Sequence, residues 1–164
     1  MNDQLLNSLT DFVLQLKGTK SEGQIISQEE LETLNSKLDG MLPNWFMEIV
    51  MKFPIAGCEI DYPFYEPESD YDGCLSCKIA TAEVVFTETT LYYPGFAIKD
   101  LGYFCIGTDS SGGGDPFFTS NKLGDNPPIY QVYHDVSDIG KEIEKYGMIK
   151  IADSFSDFFA KARL

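Results

Sequence analysis

Gly102-Tyr103-Phe104-Cys105-Ile106, with Gly112-Gly113-Gly114-Asp115-Pro116-Phe117 downstream, decides the fold of this chain. The first run is aromatic and β-branched, the make-up of a buried strand. A triple glycine between two strand-like runs predicts a hairpin connection that uses positive φ, with Gly113 the expected left-handed residue. A phosphate-binding loop is excluded. Asp115-Pro116-Phe117 stands where Gly-Lys-Ser/Thr would open a helix, and Phe117 takes the position of the last glycine of G-x-G-x-x-G. Asp109 and Asp115 flank the loop and would repel phosphate. Ile129-Tyr130-Gln131-Val132-Tyr133 and, upstream, Val84-Val85-Phe86-Thr87 share the strand composition, so a mostly antiparallel central sheet is expected.

Outward from that sheet the period changes. Leu5, Leu6, Leu9, Phe12, Val13 and Leu16 recur at helical spacing up to Gly18, and residues 18–24 read as a short polar linker within the domain. Ser27-Gln28-Glu29-Glu30 forms a capping box ahead of Leu31, Leu34 and Leu38, with Gly40 as the stop. Pro43 suits the first turn of a third helix carrying Trp45, Phe46, Ile49, Val50 and Phe53. Near the C-terminus residues 138–146 predict a short helix closed by Gly147. Asp153 or Ser154 then caps a last helix bearing Phe155, Phe158 and Phe159. Helices first, then strands, then a closing helix make an α+β fold rather than βαβ winding. One domain over residues 1–164 is expected, with 1–21 an additional N-terminal helix.

Composition narrows the function. The 164 residues include 26 Asp and Glu against 12 Lys and Arg, a net charge of −14. A chain so acidic is unsuited to direct binding of nucleic acid or an anionic membrane, which need clustered cations, and is suited to attracting a basic partner. The N-terminus lacks a cationic signal-peptide start, and no apolar run reaches the roughly 20 residues of a membrane span. A cytoplasmic location with reduced cysteines is expected.

Four groups of residues invite chemistry. Cys74-Leu75-Ser76-Cys77, with Cys58 and Cys105, offers four thiols. On a strand, however, Cys74 and Cys77 would face opposite ways and could not share a zinc ion. Nor does a helix follow to stabilise a redox thiolate. No metal or cofactor is expected. Glu66, Glu68, Asp70 and Asp72 alternate before Gly73 like the start of an EF-hand loop, yet Ile79 occupies the twelfth position where a bidentate Glu belongs. Residues 53–77 hold six acids and no Lys or Arg, interleaved with Tyr62, Phe64, Tyr65 and Tyr71. Acids mixed with aromatics suit a partner-binding surface, where Tyr65 and Tyr71 would anchor and Glu66, Glu68, Asp70 and Asp72 would steer. The alternative is that these aromatics pack inward. Asp109 and Asp115 form a second candidate edge. His134 is the only histidine. Cys105 and His134 could make a nucleophile–base pair, but His134-Asp135 at a strand end is more simply a local hydrogen-bonded turn.

Taken together, four segments resemble the SUKH superfamily, which contains bacterial immunity proteins and a fungal cell-wall-synthesis regulator. They are the capped helix of residues 27–38 running into Leu42-Pro43-Asn44-Trp45-Phe46-Met47-Glu48-Ile49-Val50; Ile106-Gly107-Thr108-Asp109 with its glycine- and aspartate-rich hairpin; residues 129–135 with their histidine–acid end; and Ile151-Ala152-Asp153-Ser154-Phe155-Ser156-Asp157-Phe158-Phe159. The resemblance covers residues 22–162. Phe53-Pro54-Ile55-Ala56-Gly57 departs from the family's Asn-Gly-Gly-like exit, and the helix before Gly18 is an addition. The resemblance implies an α+β binding module without catalytic residues, commonly one that neutralises a cognate toxin, often a nuclease. The alternatives are a housekeeping regulatory adaptor of the same fold and a small metal-dependent enzyme built on the cysteines and His134.

Overall fold

A computed structural model describes residues 2–64 and 73–164. The N-terminal third is helical for the reasons legible in its spacing. Helix α1 (Asp3–Leu16) is capped by Asn2, whose side-chain oxygen accepts from the Gln4 and Leu5 amides, and it buries Leu5, Leu9, Phe12 and Leu16. In α2 (Gln28–Lys37) both halves of the capping box form: Ser27 Oγ accepts the Glu30 N–H, and the Glu30 carboxylate accepts the Ser27 N–H at 2.9 Å. A cap of this kind contributes about 1 kcal/mol. Leu31, Leu34 and Leu38 are buried, and Gly40 continues past the helix at φ +76°. Helix α3 (Asn44–Lys52) begins one residue later than its proline suggests, because Pro43 is the extended N-cap (ψ 149°).

Six strands follow: β1 (Glu59–Pro63), β2 (Cys74–Ile79), β3 (Tyr103–Asp109), β4 (Phe117–Ser120), β5 (Ile129–Val132) and β6 (Met148–Ala152). They pair in sequence order, each antiparallel to the next, so the sheet is a meander. The fold is α+β, as the order of sequence patterns predicts. Alternation along β3 and β4 sends Phe104, Ile106 and Phe117 into a large core, while Tyr103, Cys105 and Phe118 enter a smaller one with Ile98, Val132 and Ile143. The C-terminal helix α7 (Phe155–Lys161), capped by Ser154, closes the large core. Its aromatics meet those of the other elements: Phe159 against Phe12 (5.1 Å between ring centroids), Phe155 against Trp45 (4.9 Å) and Phe158 stacked on Tyr62 (4.9 Å).

Two expectations are corrected. Residues 84–87 are not a strand but lie within α4 (Ala82–Thr90). β2 stops pairing with β3 at Ile79, and α4 takes over the exposed edge of β3. There the Thr89 hydroxyl accepts the Cys105 N–H at 3.0 Å, inside the protein. Satisfying a buried amide outweighs the weak β-propensity of Val, Val and Thr. With α5 (Gly95–Ile98), α4 also interrupts the expected succession of helices followed by strands. The second correction concerns Gly113. Positive φ falls on its neighbours, Gly112 (+96°) and Gly114 (+85°). A side chain on Gly113 would instead run into the Asp109 carboxylate. The penultimate helix, α6 (Gly140–Tyr146), starts two residues later than its polar spacing indicates.

Candidate functional site

In the acid–aromatic stretch, Tyr65, Glu66, Glu68, Asp70, Tyr71 and Asp72 lie outside the described residues. Of the remaining aromatics in that stretch, Tyr62 is buried and Phe64 packs against the large core. The Tyr62 hydroxyl donates to Asp157 at 3.2 Å, and burial together with that carboxylate pushes its pKa well up. On the outer side of β1 and β2, Glu59 pairs with Lys78 at 3.2 Å and Asp61 accepts from the Ser76 hydroxyl at 2.7 Å. These acids tie two strands together.

Asp109 and Asp115, the second candidate edge, are also occupied internally. Asp109 Oδ1 accepts the Ser111 N–H at 2.8 Å and the Ser111 hydroxyl at 2.7 Å, which folds the start of the glycine loop back on itself. Asp115 Oδ1 accepts the His134 N–H at 3.1 Å and lies 2.6 Å from His134 Nδ1. His134 and Asp135 do form a turn just beyond β5, as expected, but the side chain of His134 reaches further. It clamps the end of β5 to the end of the loop, 19 residues away. The hydrogen bond and charge of Asp115 raise its pKa above the ordinary 6.5.

Each cysteine is placed differently. Leu75, Cys77 and Ile79 face the large core, whereas Cys74, Ser76 and Lys78 face away, so the C-x-x-C pair does not converge; contrary to expectation a helix, α4, does follow, but it starts only after β2 has ended at Ile79. Burial pushes the Cys58 thiol up to about 12 and the Cys77 and Cys105 thiols well above their usual range. Cys105 has no exposed surface and its thiol donates to the Gly107 carbonyl at 3.2 Å, while His134 is half-exposed and held by Asp115. The structure does not bring them together as a nucleophile and base. Among the described residues no three His, Cys, Asp or Glu side chains gather as a metal site.

A surface that the strand assignment for residues 84–87 conceals is a groove of about 370 Å³ between α2 and α4. Leu34, Ala82 and the half-buried Phe86 form its apolar floor, and Glu29, Glu30 and Glu83 stand around it. All three acids belong to first turns, Glu29 and Glu30 to α2 and Glu83 to α4, where the helix dipole favours negative charge. The Ser27 hydrogen bonds lower the pKa of Glu30. Among the described residues the carboxylates of Glu29 and Glu83 make no hydrogen bond or ion pair. Lys37, at the other end of α2, places its ammonium 5.5 Å from the centroid of the Phe86 ring. Lys37 also lines an adjoining depression of about 290 Å³ of mixed charge, with Lys99, Lys122, Asp39 and Asp100. The legible signal for this groove was Thr81, which caps α4 by accepting the Val84 N–H, followed by Glu83 in the first turn.

No family model, curated protein or solved structure matches the chain. Among the described residues no helix is long and apolar enough to cross a membrane.

Proposed function

We propose that the chain is a cytoplasmic, non-catalytic binding module of the SUKH type, and that its role is immunity. It binds and blocks a cationic, nuclease-type toxin domain. The observation that carries this reading is its charge: −14 over 164 residues, with only Glu59, Asp115, Asp153 and Asp157 ion-paired among the described acids. Most of the other described acids are exposed, and a cationic nuclease surface built for phosphates is electrostatically complementary to them. The α+β order of elements and the Ser154-capped final helix opening on Phe155 support the family resemblance. The buried Cys58, Cys77 and Cys105 thiols and the Asp115-bound histidine support a binding role over chemistry.

Co-expression with a cationic toxin domain, if one is encoded beside this gene, tests the proposal. Restored growth and a defined complex in size-exclusion chromatography with light scattering are expected. Undiminished toxicity together with no complex would overturn immunity in favour of the adaptor reading.

A further inference from the structure

We propose that the groove between α2 and α4 receives a basic side chain of a protein partner, an arginine or lysine laid along the apolar floor with its charged head between Glu29 and Glu83, while Glu30 stays with its cap. The partner's identity as a cationic protein rests on the immunity reading; the chemistry of the groove does not. Leu34, Ala82 and Phe86 supply the apolar surface that the methylene stem of such a side chain covers, and the glutamates supply the polar rim its head requires. At about 370 Å³ the groove falls within the ordinary range of ligand-sized clefts.

The ring of Phe86 is already used by a cation. The Lys37 ammonium at 5.5 Å lies within the roughly 6 Å reach of a cation–π contact. Lys37 makes no ion pair among the described residues, so an incoming cation competes only with this ring contact and gains the carboxylates that Lys37 does not engage. At the far end Lys37, Lys99 and Lys122 stand with Asp39 and Asp100, so that end offers a cation less negative charge than Glu29 and Glu83 do. The acidic rim disfavours a nucleic-acid occupant, whose phosphates it repels.

The probe is Nα-acetyl-L-arginine N-methylamide, titrated into the ¹⁵N-labelled full chain, with the citrulline analogue as its neutral isostere. Saturable shifts confined to the amides of residues 29–37 and 82–86, absent with citrulline, are expected. Glu29→Gln with Glu83→Gln should weaken binding about fivefold, the size of one or two solvent-exposed charge contacts. Lys37→Met, which vacates the ring and removes a repulsive charge, should tighten it by about threefold. A purely structural role for these residues would not produce that gain. Absent saturation, an equal response to citrulline, shifts spread over the other surface acids, or no tightening by Lys37→Met would overturn the proposal. Because no toxin is used, the two readings fail separately. A toxin complex with a silent groove overturns only the groove, and arginine binding without a toxin complex overturns only immunity.

Discussion

The glycine loop and the α2–α4 groove are both bordered by acids, yet their carboxylates do opposite things. Asp109 and Asp115 hold Ser111 and His134, and so build the loop they border. Glu29 and Glu83 sit on helix first turns beside an apolar floor, with neither carboxylate engaged by another described residue. Sequence charge alone does not separate the two cases. What separates them is whether the fold brings donors to the carboxylate or buries it: Asp109 and Asp115 each give Oδ1 to donors, and Asp109 Oδ2 is buried without a partner among the described residues, so little of either is left for another molecule. The lesson is that net charge locates the kind of partner, while hydrogen-bond accounting locates the surface.

The comparison is sharpened most strongly from behind the groove. Thr89 is fully buried and supplies the acceptor for the Cys105 N–H, which fixes α4 on the edge of β3. Thr89→Val keeps the shape but strands that amide, a loss of about 1–3 kcal/mol in chemical denaturation. Cation binding in the groove should weaken with it. An unchanged midpoint would show that α4 is held by packing alone.

Next in size is the loop. Gly114→Val forces a β-branched residue to φ +85° against the His134 ring, and about 1–2 kcal/mol of destabilisation is expected. Gly113→Ala, which lacks positive φ, should cost less because its clash is with the displaceable Asp109 carboxylate. If Gly113→Ala proves the more damaging, the Asp109 turn rather than the backbone conformation holds the loop.

The Asp115–His134 pair gives the loop a pH signature of its own. The folded-state pKa of His134 is raised, so its stabilisation is fully present below the unfolded value of about 6.5 and fades as pH rises through the higher folded value. The stability difference between the wild type and Asp115→Asn should therefore be larger at about pH 6 than at about pH 8. The His134 Cε1 proton in the variant should titrate at lower pH. An identical titration in both proteins would break the assignment of Asp115 as a structural acid.

The smallest stability effect belongs to the groove itself. Glu29→Gln with Glu83→Gln removes two favourable helix-dipole contacts, about 0.5 kcal/mol in thermal denaturation. Against a cationic toxin domain the same pair should slow association and flatten its dependence on salt. A large loss of stability with unchanged association would place these glutamates with Asp109 and Asp115 as structural acids.

The helices were legible because their signals are local. The capping box at Ser27 and Glu30, the spacing of Leu5, Leu9, Phe12 and Leu16, and the Ser154 cap before three phenylalanines each depend on residues within a few turns. The α+β class followed from the order of those signals. Residues 84–87 were misread because Val-Val-Phe-Thr carries strand propensity, while the reason for its helix lies at Cys105, 16 residues beyond Thr89. Strand β6 carried no strong alternation of its own and is set by pairing with β5. For the candidate site, the excess of acid and the kind of partner it suits were readable from composition. Which acids are spent was not, because the Asp115–His134 clamp spans 19 residues of chain.

The sequence by itself determined the helix caps, the apolar faces, the α+β order and the strongly negative charge, since each is a property of neighbours along the chain or of a sum over it. Only the tertiary structure decided that Asp115 is spent on His134, that residues 84–87 lie in a helix against β3, and that α2 and α4 frame a groove. Those outcomes depend on distances between residues far apart in sequence, where hydrogen bonds and burial act over a few ångströms and the order of residues carries no record of them.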